Sequence, residues 1–271
     1  MKLTFELEIS TMSKNKLEIL EMLERMNIHC NCIVINQCGH DSYFEITNGQ
    51  QKIRIFNSSE HGLSKSRNLA IANSKADILG IADDDLKYYD NFEEKILDFY
   101  ESNPKVDIGI FNIDTYEKEF PSKGFKCKLK NLGSFISMQC TFRVNAIKKK
   151  YIKFNEYFGS GSGYFSSGEE NIFLSEAYKK HLNIFYSEQK ILRREESLSS
   201  WFKGYNDPKF ITDRGAIYTA ISPFLSSLLM LRFVIRKREL IKPVSFFDAV
   251  EFMRLGRKQY MRLIKENEKH Q

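Results

Sequence analysis

The sequence predicts an α/β fold: a mostly parallel sheet flanked by helices, with a C-terminal helical extension. Three observations predict it. Short apolar, β-branched runs alternate with helical patterns on short loops, the mark of β-α-β units. One of those runs stops at Asp83-Asp84-Asp85, and ligands of open α/β sheets gather at the carboxyl ends of strands. The last quarter then turns to helical periodicity loaded with Lys and Arg.

Leu3–Ser10 alternates and predicts a first strand. Lys14–Met26 places Leu17, Leu20, Met22 and Leu23 at helical spacing. Cys32–Asn36 and Lys52–Phe56 are short buried-strand runs. Gly62–Ala72 predicts a helix, Asp77–Ala82 the strand that runs into the acidic triplet, Asn91–Tyr100 a helix and Val106–Ile113 a fourth buried strand. Asp114–Lys153 is less regular. Phe158–Gly168, rich in Gly and Ser, predicts a mobile loop, followed by a helix from Glu169 toward His181 and a short strand at Asn183–Tyr186.

The 271 residues, 42% hydrophobic, are enough for one large domain with an appendage. We place the boundary between residues 1–205 and 206–271. From Phe202 to Gln271 there are 14 Lys and Arg against 7 Asp and Glu, so the net charge of +6 resides entirely in that tail. Ala216–Leu231 is largely apolar but shorter than the roughly 20 residues a spanning helix needs. Phe246–Ile264 mixes apolar and basic residues. That suits helices lying on an anionic membrane surface, or a helical pair packed on the main domain with its charges in water. The apolar residues woven through the tail argue against nucleic acid. The five cysteines show no zinc spacing, and the opening residues lead straight into a strand. Both point to free, mostly buried thiols in a reducing cytoplasm; the basic tail suits a peripheral place on the inner face of the membrane.

Three constellations carry chemistry. Asp83-Asp84-Asp85 at a strand end repel one another, and a hard cation such as Mg²⁺ or Mn²⁺ relieves that; an acidic turn capping the next helix is the alternative. Gly168-Glu169-Glu170-Asn171 fits a capping box with Ser166 or Ser167, or a general base held at a helix start. Gly62-Leu63-Ser64-Lys65-Ser66-Arg67-Asn68 opens a helix, where anions are attracted.

In that order and spacing, GLSKSRNLAIANSKADILGIADDD followed by SGEENIFL resembles the family 2 glycosyltransferases of the GT-A, Rossmann-like fold. Those bacterial enzymes build capsule, O-antigen and related polysaccharides. The resemblance covers about residues 1–200. It implies a nucleotide-sugar donor, a UDP-sugar in the first instance, and a saccharide or lipid-linked saccharide acceptor. Asp83 then contacts the donor and, with Asp85, the metal; Asp84 is the variable middle position. Glu170 becomes the catalytic base and Glu169 its support, with Arg67 and Asn68 near the nucleotide. The chain departs from the family in four places. Ser10-Thr11-Met12-Ser13 stands for Pro-Thr-Tyr-Asn, leaving Thr11 on the donor side. Asn36-Gln37 stands for an Asp pair that reads the base, so Gln37 takes that position. Glu170 stands for Asp. Arg194, in LRREESLSSW, stands where relatives carry a His, and pairs with the departing diphosphate, with Arg193 beside it.

The implied mechanism is one in-line displacement with inversion. Two rivals remain. A sugar-1-phosphate nucleotidyltransferase would need a glycine-rich loop that Ser10–Lys16 lacks. A catalytically silent relative would bind only nucleotide or a membrane partner.

Overall fold

The computed structural model describes residues 2–115, 119–194 and 203–269. The first half is built from β1 (Phe5–Met12), α1 (Lys16–Arg25), β2 (Cys32–Gln37), β3 (Ser42–Asn48), β4 (Gln51–Ser58), α2 (Leu63–Asn73), β5 (Ile78–Asp83), β6 (Leu86–Tyr88), α3 (Phe92–Ser102) and β7 (Ile108–Asp114). Then come β8 (Phe125–Lys126), α4 (Leu129–Leu132), a 3₁₀ turn (Ser137–Gln139), β9 (Cys140–Arg143), α5 (Val144–Lys149), α6 (Glu169–Lys179) and β10 (Ile184–Arg194). Three helices close the chain: α7 (Pro208–Ile221), α8 (Ser226–Arg236) and α9 (Phe246–Glu268).

Among the described residues the strands form one sheet, ordered β3-β4-β2-β1-β5-β9-β7-β10-β6, with β8 also on β10. Strands β4, β2, β1, β5, β7 and β10 point one way. The others, β9 in the middle and β3, β6 and β8 elsewhere, run against them. This is the mixed α/β architecture the sequence predicts. Strand β2 is buried along its whole length, which is why it reads as an unbroken apolar run. Helix α1 buries Ile19, Met22 and Leu23 on one face and opens with an Asn15/Glu18 capping box. Two apolar layers fill the faces of the sheet. One surrounds Ile9, Val34 and Phe111; the other surrounds Ile35, Ile81 and Phe142.

The C-terminal quarter differs from the simplest sequence reading. Ser222-Pro223 splits the apolar run between α7 and α8, and no described helix is long and apolar enough to cross a membrane. Helix α9 turns Ala249, Met253, Gly256 and Tyr260 inward. Those inward residues pack on α7, while Phe247, Leu255 and Met261 of the same helix stay exposed. The two helices cross at paired glycines. A Cβ on Gly215 would fall 2.0 Å from the Met253 carbonyl oxygen, and one on Gly256 1.9 Å from that of Thr212. Only bare backbone fits there.

The extension also shares a core with the main domain. Phe158, Phe165 and Ile172 pack with Ala216, Ile217 and Tyr260, and Asn155 donates to the Tyr260 hydroxyl at 3.0 Å. The Gly/Ser segment expected to be a mobile loop is pinned at its ends by this cluster. The Phe158 and Phe165 rings stack with centroids 4.9 Å apart, because aromatic side chains there find burial that the glycines between them do not need.

Replacing Gly256 by Ala should force α7 and α9 apart and cost about 3 kcal/mol of stability. A urea titration checks this; an unchanged midpoint would mean the crossing is loosely packed.

Candidate active site

Neighbouring parallel strands bring their carboxyl ends together. Ser10 is opposite Asp83, Thr11 opposite Asn36, and Met12 opposite Gln37. The acidic turn after β5 is held from two sides. Thr11 Oγ1 donates to the Asp84 carboxylate at 2.5 Å, Lys14 lies 3.8 Å from it, and Arg25 donates to the Asp84 carbonyl at 2.8 Å. Asp85 is exposed at the turn. The chain then enters β6, which pairs antiparallel with β10 so that Arg194 stands opposite Leu86 and Arg193 opposite Lys87. Register thus delivers Arg194 to the acidic turn from more than a hundred residues away. The rest of that motif, residues 195–202, lies outside the described residues.

Arg67 is the hub. Its guanidinium is buried and donates to Asp83 Oδ1 at 3.1 Å and to Glu169 Oε1 at 2.9 Å. It also lies over the Phe154 ring. One side chain therefore ties the end of β5 to the start of α6. Removing one partner of a buried pair of this kind costs about 3–5 kcal/mol, because it strands the other charge.

Glu8, which the sequence reading did not select, lies beneath this hub. It is fully buried on β1 and accepts from Ser10 Oγ, while its Oε2 has no hydrogen-bond partner. Burial pushes its carboxyl up to about 7, Arg67 and Ser10 pull it down, and Asp83 pushes it up again. Glu6, two residues earlier, points the same way but is fully engaged by Arg54, Ser74 and the Lys75 amide. The available signal was the alternation itself: Glu6, Glu8 and Ser10 occupy the inward face of a strand covered on both sides.

Helix α6 opens at Gly168, whose φ of +93° suits glycine, and no side chain caps it. The expected capping box is absent because Gly168, and not Ser166 or Ser167, takes the N-cap position; the Ser166 amide donates to Asp213 of α7 at 2.9 Å. A Cβ on Gly168 would meet Ile217 of α7 at 2.4 Å. Glu170 follows Glu169 in this first turn. Burial raises its carboxyl well above the ordinary range, the Glu169 charge adds to that, and Arg67 and Arg214 oppose it. Arg214, one helical turn from Ile217, is a second residue the sequence reading missed. Its guanidinium stacks on Phe210 and its Nε is buried without a partner.

The remaining sequence candidates hold scaffold. The Gln37 amide accepts from the Gly62 amide and donates to Ser66, fixing the start of α2. The Asn68 amide is bonded at both ends, to Phe154 and Glu156. At the start of α2, where an anion site was expected, two of the polar groups already have partners. The Leu63 amide donates to the Ser160 carbonyl, and Lys65 pairs with Glu60. All five cysteines are free, and four are buried.

This geometry can be set beside known proteins. The sequence profile described as "Glycosyl transferase family 2" matches residues 17–167. The chain belongs to that family. The match takes in Arg67 and the acidic turn and ends just before Glu169. Among curated proteins, none matches the chain. In three dimensions it is similar to a 1–349 fragment of TarS from S. aureus, at 13% identity and a TM-score of 0.58, with 96% of this chain and 92% of that one covered. The same fragment in complex with UDP-GlcNAc gives 12% identity and the same score and coverage. A longer TarS structure gives 14% identity and a TM-score of 0.57, covering 89% of this chain and 44% of that one. These likenesses concern the fold, and their coverage extends it over the C-terminal helices of this glycosyltransferase.

Glu8 gives a test of the buried charges. Its folded pKa lies above the unfolded 4.5, so the protonated form favours folding. That contribution is full below about 4.5 and is lost as the pH rises through about 7. Between pH 4.5 and 8 the wild type should lose on the order of 3 kcal/mol through this group. Glu8→Gln should lack that component, so its melting temperature should fall less over the same range. Parallel pH profiles for the two proteins would show that Glu8 is ionised in both states.

Proposed function

We propose that this glycosyltransferase moves a sugar from a nucleoside diphosphate sugar, a UDP-sugar, to a hydroxyl of a saccharide or lipid-linked saccharide, with inversion. Its setting is the synthesis of a bacterial surface polysaccharide of the capsule or O-antigen kind, at the inner face of the membrane. The observation that carries the reading is the Arg67 hub, which joins the strand-end carboxylates to the glutamate pair at the start of α6. The TarS complexes with UDP-GlcNAc and UDP, built on a similar fold, support the choice of donor.

A divalent cation suits this donor set. Among the described residues no three metal-binding side chains cluster. Mg²⁺ and Mn²⁺ commonly take one or two carboxylates and complete their shell with phosphate oxygens and water. Asp83 and Asp85 would hold such an ion, which would offset charge on the leaving diphosphate. Thr11 keeps the Asp84 side of the turn in place, and Gln37 and Asn68 shape the donor wall through the backbone they hold. Arg194, with Arg193, pairs with the diphosphate as it leaves. Glu170 accepts the proton of the attacking hydroxyl, and Glu169, locked on Arg67, fixes where Glu170 stands.

The first experiment is nucleoside diphosphate release from a panel of nucleotide-sugars with Mn²⁺, with Mg²⁺ and with EDTA. Release from one donor, lost in EDTA, is the expected result. Folded protein that neither releases nor binds any donor would leave a silent relative as the better reading. Asp85→Ala should remove the metal-assisted part of nucleotide affinity, read by calorimetry. Glu170→Gln should retain donor binding and lower transfer by about 10²–10⁴. Because a base must be ionised and the folded pKa of Glu170 is raised, wild-type turnover should climb with pH through neutrality. A profile already flat from pH 5 would place the base elsewhere.

A further inference from the structure

Helix α8 buries Ser226, Met230, Phe233 and Val234 against its neighbours. Its other face is apolar and bare. Leu228 is 63% exposed and Ile235 60%, with Leu231 between them; spacing of three and four residues puts all three on one stripe. The Pro223 turn leading into the helix adds Phe224, which is wholly exposed, and Leu225. Such a stripe on an outer helix marks an interaction surface.

Basic side chains border it. Arg232 and Arg236 are exposed one turn apart beside the stripe, and Lys237, Arg238 and Lys242 follow where the helix ends. The nearest acid in sequence, Glu239, is paired with Lys242 at 2.8 Å. A second copy of this chain fits the surface poorly, since a two-fold contact through the stripe would bring the Arg232 and Arg236 charges of both copies together. An anionic bilayer satisfies both parts of the surface. Its acyl boundary takes the leucines and Phe224, and its headgroups take the arginines.

We infer that the outer face of α8, with the Pro223–Leu225 turn, is a docking surface for anionic phospholipid. This places the lipid contact on α8; α9 turns Ala249, Met253 and Tyr260 inward against its neighbours. The inference rests on the proposed function only for the presence of a membrane.

The test uses the full chain and two kinds of vesicle, phosphatidylcholine alone and an equal mixture with phosphatidylglycerol. Co-sedimentation should occur with the mixed vesicles, weaken with salt and be absent with phosphatidylcholine. The double variant Leu228→Ser, Ile235→Ser should lower the vesicle-bound fraction about tenfold. Arg232→Gln with Arg236→Gln should do the same while flattening the salt dependence. All four positions are exposed, so melting temperatures should stay unchanged. Sedimentation equal in all variants, or indifferent to phosphatidylglycerol, would overturn the inference. So would a dimer in light scattering that Leu228→Ser dissolves, which would assign the face to a second copy. Donor cleavage is measured separately without vesicles. Lipid binding without cleavage would sink the enzymatic reading alone, and cleavage without lipid binding would sink this one alone.

Discussion

A buried guanidinium cannot stand without counter-charge, and Arg67 is buried to its tip. Its demand is met by Asp83, at the end of β5, and by Glu169, at the start of α6. Each of these positions is otherwise free to vary with loop length. Tying both to one rigid fork fixes the distance between the acidic turn and the glutamate pair. The arrangement is also short of positive charge. Glu8 and Glu170 lie near the same guanidinium, and it cannot hold four carboxylates ionised. Both of these have carboxyls raised above their ordinary range, first by burial.

The C-terminal helices belong to this electrostatic unit. Helix α7 supplies the Asp213 acceptor for the Ser166 amide, the Ile217 side chain that fits the bare Gly168, and the Arg214 charge that faces Glu170. Tyr260 of α9 packs among Phe158 and Phe165 at the ends of the loop before α6. The glycine pair at the α7–α9 crossing then has a consequence at the site. Moving those helices apart would shift the wall against which α6 begins.

Most parallel strands and the main helices were legible in the sequence because each obeys a single periodicity; of β10 only the start was, since Asn183–Tyr186 was expected and the strand runs on to Arg194. Strand β3 was not. Its burial pattern, exposed at nearly every position, gives SYFEITN little apolar alternation, and it is recognised only through the Asn48-Gly49 turn that folds it onto β4. Strand β9 is four residues inserted between β5 and β7, too short to carry a pattern. At the site, the acidic turn stood out because adjacent carboxylates at a strand end repel, while Arg67 and the glutamate pair stood out through the order and spacing they share with the glycosyltransferase family, since alone the pair reads as well as a capping box. Gln37 and Asn68 came from the same resemblance, and the sequence could not show that their amides also bond Gly62, Ser66, Phe154 and Glu156. Glu8 and Arg214 were missed for the opposite reason. Each reads as an ordinary charge on an ordinary element, and only tertiary packing removes it from water.

The two adjacent glutamates of α6 show how one helix start can separate two roles. Successive residues on a helix point about 100° apart, so only one of them can meet a given partner. Glu169 takes Arg67, and its charge is spent on structure. Glu170 stands half-buried beside a like charge and feels Arg67 and Arg214 through their charge. A carboxylate so placed binds a proton more tightly than one in water, which is what a base for a sugar hydroxyl requires. The longer side chain of Glu relative to Asp carries it one methylene further from the crowded helix start. For the proposed base, Glu170, the raised carboxyl therefore comes first from burial and then from the Glu169 charge, against the pull of Arg67 and Arg214.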